Sequence, residues 1–363
     1  MNRLLRNTDP LLFIAIIFII LIGFLSLYSA SHEPNGKMQK NFAWQQAVWM
    51  GTFLCLAVIV FWFGYERLLD YGYLIFAVNI LFLLLVLSIG STRLGAKRWF
   101  SFGVFSLQPS ELCKIGFILA LVKYISTNSG SIHRFKVVLT ALIMCILPML
   151  LIIKQPDLGT AIIFLPILFS VLFASGARIS HLIYIILTGI LSFPVLWHFL
   201  RDYQRQRLLV FLNPNADPLG AGYTIIQSKI AVGSGGIFGK GWMSGTQNQL
   251  NFLPERHTDF IFSVIGEEWG FLGAILLLWL FLLLINRLLK IAEMTNDQRG
   301  RLLVVGVAAL LWFQVFTNIA MVIGIMPVVG LPLPLISYGG SSLLTTMLLI
   351  TMAISVQFRR KIF

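Results

Sequence analysis

Leu11-Leu-Phe-Ile-Ala-Ile-Ile-Phe-Ile-Ile-Leu-Ile-Gly-Phe-Leu-Ser-Leu-Tyr-Ser-Ala30 carries no charged side chain. A helix of that length rises about 30 Å, enough to cross the hydrocarbon core of a bilayer. A soluble helix keeps a charged or polar stripe, and none is present, so the stretch reads as a membrane span. It lacks a small-residue cleavage pattern and is expected to be retained rather than removed as a signal. Similar apolar runs recur and predict ten spans, near 11–30, 44–63, 72–90, 107–125, 136–153, 158–175, 179–199, 262–286, 302–325 and 340–357.

Composition agrees with lipid as the solvent. Of 363 residues, 58% are hydrophobic and 11% charged, against about 25% charged in an average soluble domain. The expectation is an all-α integral membrane protein, a single polytopic domain over 1–363. A long extracytoplasmic loop at 200–261, between spans seven and eight, is expected to carry part of the site. The net charge of +13 comes without a basic patch interleaved with aromatics, so nucleic-acid binding is not expected. Cys55, Cys113 and Cys145 lie in apolar runs at no metal-ligand spacing and read as packing residues.

Orientation follows from the basic residues. With a cytoplasmic N-terminus, Arg3, Arg6, Arg67, Lys123, Arg134, Lys136, Arg178, Arg287, Lys290, Arg299, Arg301, Arg359, Arg360 and Lys361 face the cytoplasm. The short opposite loops hold only Lys37, Lys40, Arg93, Lys97, Arg98 and Lys154. Positive-inside bias therefore puts both termini in the cytoplasm. Most acidic residues, from Glu33 through Asp157 to Glu268, then lie at or near the outer side, where chemistry is expected.

The loop at 200–261 is longer than any connection needs, and loops of that length are usually functional. Tyr223-Thr-Ile-Ile-Gln-Ser-Lys-Ile-Ala-Val232 mixes apolar and polar positions as a surface-lying helix would, with Lys229 toward headgroups. Gly233-Ser-Gly-Gly-Ile-Phe-Gly-Lys-Gly241 has the wrong spacing for a nucleotide loop and no Ser or Thr after Lys240, so no nucleotide is expected. Its amides and Lys240 are suited either to an anion or to a plain flexible connection. The loop closes with Asn251-Phe-Leu-Pro-Glu-Arg-His-Thr-Asp259, where Arg256 and His257 precede Asp259 at the membrane boundary. Asp259 reads either as the cap of helix eight or as a base. Continuous helical spacing would put Asp259, Ser263 and Glu267 on one face, lining a cavity.

Charges at membrane depth are the next signal. Glu111 and Lys114, three apart in Gln108-Pro-Ser-Glu-Leu-Cys-Lys114, are placed to pair, as structure or as function. Asp157, in Lys154-Gln-Pro-Asp-Leu-Gly159, stands where it would cap a helix or face a cavity. Gln314 and Asn318 read as interhelical hydrogen-bond glue. Gly324 to Ser342 is too apolar for a solvated loop and too broken by Pro and Gly for a helix, which predicts buried re-entrant backbone between spans nine and ten.

Four stretches now carry a resemblance: Gln108 to Lys114, Gln155-Pro-Asp-Leu-Gly-Thr160, Phe252-Leu-Pro-Glu-Arg-His-Thr-Asp-Phe-Ile-Phe-Ser263, and Gly330-Leu-Pro-Leu-Pro-Leu-Ile-Ser-Tyr-Gly-Gly-Ser-Ser342. Across all ten spans the chain resembles the SEDS (shape, elongation, division and sporulation) family of peptidoglycan glycosyltransferases. Pro254-Glu-Arg-His, Glu267-Glu-Trp and short cytoplasmic ends make it similar to the RodA-like elongation branch. The resemblance implies a bacterial inner-membrane enzyme that polymerises lipid II. It also implies a class B penicillin-binding protein as partner and a divalent ion, Mg or Mn, as cofactor. The family's Asp falls on Asp259, and its Glu and Lys on Glu111 and Lys114.

For that reaction Asp259 is assigned as general base toward the acceptor's 4-hydroxyl. Direct attack on the alpha-linked donor inverts the centre and gives a beta-1,4 bond. A metal ion, or Arg98, Lys114, Lys154, Lys229, Lys240 and Arg256 in some combination, would stabilise the departing diphosphate. The expected site further takes in Glu111, Asp157, His257, Ser263 and Glu267, and the sequence names no metal ligands. Two rival readings stand beside it, a flippase of lipid-linked precursor and a non-catalytic scaffold of the elongation machinery.

Overall fold

A computed structural model describes residues 9–32, 42–93, 96–102, 105–200, 202–218, 220 and 222–359. Arg3, Arg6, Glu33, Lys37, Lys40, Arg360 and Lys361, and the side chain of Arg93, lie outside the described residues. Seven described helices are long and apolar enough to cross a membrane: α1 (Pro10–Ala30), α2 (Phe42–Phe63), α4 (Gly72–Ile89), α6 (Phe135–Lys154), α13 (Ile261–Glu293), α14 (Gln298–Val322) and α15 (Gly340–Arg359). Between α2 and α4 runs the short α3 (Tyr65–Asp70).

The other three predicted spans are also helical. The first is α5 (Pro109–Thr127), less apolar because it carries Glu111, Lys114 and Lys123. The second is broken into α7 (Leu158–Ile162) and α8 (Phe164–Ala174), and the third is α9 (Ile179–Phe199). Starts follow capping chemistry: Asp9 accepts from the Leu11 amide ahead of α1, and Asp297 from the Arg299 and Gly300 amides ahead of α14.

α5, α14 and α15 are buried along most of their length and form the centre. Around them α2, α4 and α9 turn Ile59, Trp62, Leu74 and Leu191 outward, the arrangement lipid-facing helices require. The long loop and the α4–α5 connection share one end of the bundle, here called the loop face. At the opposite end, ion pairs Asp9–Arg287 (3.7 Å), Asp70–Arg299 (3.1 Å) and Glu66–Arg359 (2.9 Å) tie helices together.

Three local features differ from expectation. The segment before α5 is a small antiparallel sheet, β1 (Ser91–Arg93), β2 (Ala96–Phe102) and β3 (Phe105–Leu107), in the order β1-β2-β3. Aromatic and polar residues alternate through Phe100-Ser-Phe102, the period of a strand, and the helix begins at Pro109 rather than 107. The long loop folds into α10 (Asp202–Leu212), α11 (Tyr223–Ser234), which contains the predicted surface helix, and the single turn α12 (Thr246–Gln249). Finally, α13 is broken at Gly270 (φ 65°, ψ −160°), a conformation that favours glycine.

Candidate active site

The site forms where the four quoted motifs meet at the loop face. Gly324 to Gly339 is irregular backbone with Leu331, Leu333, Leu335 and Ile336 buried, as predicted for re-entrant chain. Buried backbone needs partners, and the loop motif supplies them. Ser337 donates to the Thr258 carbonyl (2.6 Å), and the Tyr338 amide to the His257 carbonyl (2.9 Å). Asn318 of α14 donates one amide hydrogen to the Asp259 carbonyl (2.8 Å) and the other to the Leu331 carbonyl (2.7 Å). Asn318 thus binds irregular backbone rather than a neighbouring helix, and it fixes the Asp259 main chain.

The Asp259 carboxylate itself is left free of capping duty. The cap position of α13 falls on Phe260, which makes no side-chain capping bond. The carboxylate lies against Gly330 (φ 71°), where an added Cβ would stand 3.2 Å from Oδ2. Asp259 is half-buried and outside the spanning helices. Its surroundings push the carboxyl up to about 7: burial is the largest cause, then the charges of Glu255 and Asp157, opposed by Arg207 and Arg98. A carboxyl titrating there is suited to take a proton at neutral pH.

Asp157 takes the capping role and adds an ion pair to it. One oxygen accepts from the Thr160 amide (3.1 Å) as the cap of α7, and the other pairs with Arg98 (3.5 Å) and Gln108 (3.3 Å). Arg98, delivered by β2, also donates to the carbonyls of Gln155 (2.8 Å) and Pro156. Tyr203 of α10 donates to Pro156 (3.1 Å), and Arg207 one turn on to the Val328 carbonyl (3.2 Å). The charges of Arg207 and Arg98 both oppose the upward push on Asp259. Lys154 and Lys229 are exposed on the same face, Lys229 lying over Gly324 at the end of α14.

Glu111 and Lys114 form the expected pair at 2.7 Å, both buried inside the bundle. His257 stacks on Phe42 (4.1 Å between ring centroids, 9° apart), so its ring is engaged in packing.

Four expected site residues are placed elsewhere. α13 begins at Ile261, so Asp259 is not in helical register with Ser263 and Glu267. Ser263 is buried and donates to the Phe260 carbonyl (2.6 Å). Glu267 is buried and accepts from Lys240 (2.8 Å), Thr246 (3.1 Å) and the amides of Gln247 (3.0 Å) and Asn248 (3.3 Å). That leaves Lys240 neutralised by Glu267 rather than waiting for an anion. The glycine-rich amides are committed too: Lys240 and Gly241 donate to the Glu267 and Glu268 carbonyls, stitching the loop onto the break at Gly270. Arg256 is buried and donates to Ala30, Asn248 and Asn251, locking the loop to α1.

The sequence by itself assigns no role to Tyr203 or Arg207, and none to Gln108 beyond opening its motif. Arg207 sits in Asp202-Tyr-Gln-Arg-Gln-Arg207, a polar helix inside a loop beside a membrane, and that contrast is the signal that marks it. Gln108 and Tyr203 act through a turn distant in sequence, which no local pattern shows.

The fold and the site define a polytopic membrane protein with a half-buried acidic group, flanked by arginines, at one membrane face. The chain belongs to the FtsW/RodA/SpoVE cell cycle protein family, whose model matches residues 9–362. It is 42% identical over 357 residues to the peptidoglycan glycosyltransferase MrdB of Escherichia coli K12, covering 98% of this chain and 95% of that one. It is 34% identical to the peptidoglycan glycosyltransferase RodA of Treponema pallidum, covering 99% of each. Among solved structures it resembles one reported as structural coordination of polymerization and crosslinking by a peptidoglycan synthase complex (TM-score 0.82, 36% identity, 98% of this chain and 99% of that one). It also resembles the rod shape determining protein RodA of Thermus thermophilus (TM-score 0.71, 32% identity, 97% of each).

Proposed function

We propose that this chain is a peptidoglycan glycosyltransferase that polymerises lipid II into beta-1,4-linked glycan strands during cell elongation. The observation that carries the mechanism is the Asp259 carboxyl, uncapped, clamped through Asn318 and pushed up to about 7. In the proposed reaction the acceptor's 4-hydroxyl gives its proton to Asp259 as the oxygen attacks the donor's anomeric carbon. The bond to undecaprenyl diphosphate breaks, the centre inverts, and both bonding electrons leave with the diphosphate. Arg98 and Arg207, with the exposed Lys154 and Lys229, supply positive charge on the face where that diphosphate departs.

The loop face is proposed to be extracytoplasmic, in the bacterial inner membrane with both termini cytoplasmic, and residues 200–261 to serve as part of the active site of a single membrane domain. A class B penicillin-binding protein is the proposed partner. Among the described residues no three His, Cys, Asp or Glu side chains converge. The described residues by themselves therefore supply no three-ligand cage for the proposed Mg or Mn ion.

The test is glycan synthesis from labelled lipid II by purified protein in liposomes, with and without a transpeptidase-inactive partner. Polymer from wild type but not from Asp259→Asn, with lipid II binding retained, is the expected result. Precursor crossing the bilayer with no polymer formed would replace this reading with a flippase.

A further inference from the structure

Gln314 departs from its expected role as glue. It is 1% exposed, yet neither Nε2 nor Oε1 makes a hydrogen bond to a protein group. Buried side-chain amides are hydrogen-bonded in the large majority of structures, so this one requires a partner. It does not stand alone. Ser110 Oγ, Thr317 Oγ1, Asn318 Oδ1 and Thr345 Oγ1 are buried in the same condition.

Helix register places these groups at neighbouring levels along the bundle. An added Cβ at Gly306 of α14 would touch Ile118 of the antiparallel α5 at 3.2 Å, which fixes a common level. From there toward the loop face, Gln314 and Ser110 are each eight residues on, about 12 Å, and Glu111 about 10 Å. On α15, Ser341 bonds the Gln108 amide (3.0 Å) and the Ser106 carbonyl (3.2 Å). Thr345, one turn deeper, comes level with Glu111 and Leu112. Above Gln314 at i+4, on the same helix face, Asn318 holds the Asp259 carbonyl. The unpaired groups thus bridge the depth between the Glu111–Lys114 pair and the floor of the Asp259 site.

We infer that α5, α14 and α15 enclose internal water between the Glu111–Lys114 pair and the Asn318 clamp, and that Gln314 is the positioning residue that anchors it. Donors and acceptors are both present, as water requires, and each buried water satisfies two to four of them. Lys114 has donors beyond the one it gives Glu111, and Asn318 Oδ1 accepts from below while its amide hydrogens point at Asp259 and Leu331. The water would then hold the clamp, and the clamp the base. The functional part rests on Asp259 being that base; the hydration part does not.

Two measurements test it. The first is a high-resolution structure of the wild-type protein in nanodiscs: ordered solvent density within hydrogen-bond distance of Gln314 is expected, and a dry pocket there overturns the inference whatever Asp259 does. The second is Gln314→Met, close in size and apolar, assayed for glycan synthesis across pH. The expected result is kcat lower by roughly tenfold or more with KM for lipid II unchanged, since a small misplacement of a reacting group has effects of that order or larger. The acidic limb of the profile should also move to higher pH, because the site loses hydration while Glu255, Asp157, Arg207 and Arg98 around Asp259 are untouched. A Gln314→Met protein with wild-type kcat and an unmoved limb overturns the positioning role. Hydration with no acidic limb that depends on Asp259 in the wild type would sink the base assignment while leaving the water in place. If the variant does not fold, the density measurement alone decides.

Discussion

Asp259→Asn keeps the size of the side chain and removes its ability to accept a proton. Glycan synthesis is expected to fall by about 10²–10⁴-fold, the range for loss of a general base. On the proposed mechanism the same group sets the wild-type pH profile. Only the carboxylate is active, and with the carboxyl at about 7 the rate should drop about tenfold for each pH unit below that, to roughly 1% at pH 5. Stability runs in the opposite direction. The folded value of about 7 exceeds the ordinary 3.8, so the folded state binds the proton more tightly than the unfolded chain. The stability this group contributes is complete below pH 3.8, declines as pH rises and is lost above about 7. That rise, at about 1.4 kcal/mol for each tenfold change in proton affinity, corresponds to roughly 4 kcal/mol. Asp259 is only half-buried, so solvent screening makes this an upper bound. The variant should therefore be more heat-stable than wild type at pH 8.5, and the advantage should shrink at pH 5. Parallel thermal unfolding and lipid II polymerisation at the two pH values give the answer. An acidic limb centred near pH 4, with no stability gain at pH 8.5, would refute the reasoning.

Three further outcomes follow from the geometry. Lys114→Met leaves Glu111 buried and unpaired and should destabilise by about 3–5 kcal/mol in a denaturation series, whereas Glu111→Gln combined with Lys114→Met should recover most of it; persistent inactivity of the folded double variant would show that the charges act in the reaction. Lys240→Ala removes one of four hydrogen-bonding partners of the buried Glu267 and should cost about 1–3 kcal/mol with KM for lipid II unchanged; a raised KM would return Lys240 to the substrate site. Gly330→Ala adds a Cβ 3.2 Å from the Asp259 carboxylate at a φ of 71°, so kcat should fall with lipid II binding retained, and a variant of wild-type rate would show the contact to be loose.

Helices at all ten predicted positions, seven of them long and apolar enough to cross, were legible because a bilayer imposes one requirement, about 20 apolar residues per helix, that a linear sequence displays without tertiary knowledge. The sheet before α5 was not, since strands of three to seven residues leave too short a pattern among aromatics that suit a membrane boundary equally well. In the long loop, composition pointed to the right residues and the wrong partners. Lys240 and the glycines looked like an anion cradle because an anion and a helix break present similar demands, namely oxygen atoms that need N–H donors. The break at Gly270 frees the Glu267 and Glu268 carbonyls, and the loop amides answer them. Nothing in a single sequence announces that Gly270 leaves the helix, because an isolated glycine is tolerated within one.

Asp259 shows the same limit more sharply. Extending helical spacing back from Ile261 put Asp259 in line with Ser263 and Glu267, but the chain turns two residues later than that reading needs. The displacement is what frees the carboxylate. As the residue immediately before a continuous helix it would cap backbone amides, and such bonds favour the ionised form and lower a carboxyl's pKa. Set one residue ahead of an uncapped start, and anchored instead by its carbonyl on Asn318, it keeps both oxygens for a ligand while burial and two neighbouring carboxylates raise its proton affinity. A shift of one or two residues in the helix start therefore separates a structural aspartate from a candidate base, and boundaries of that kind are the feature a sequence specifies least.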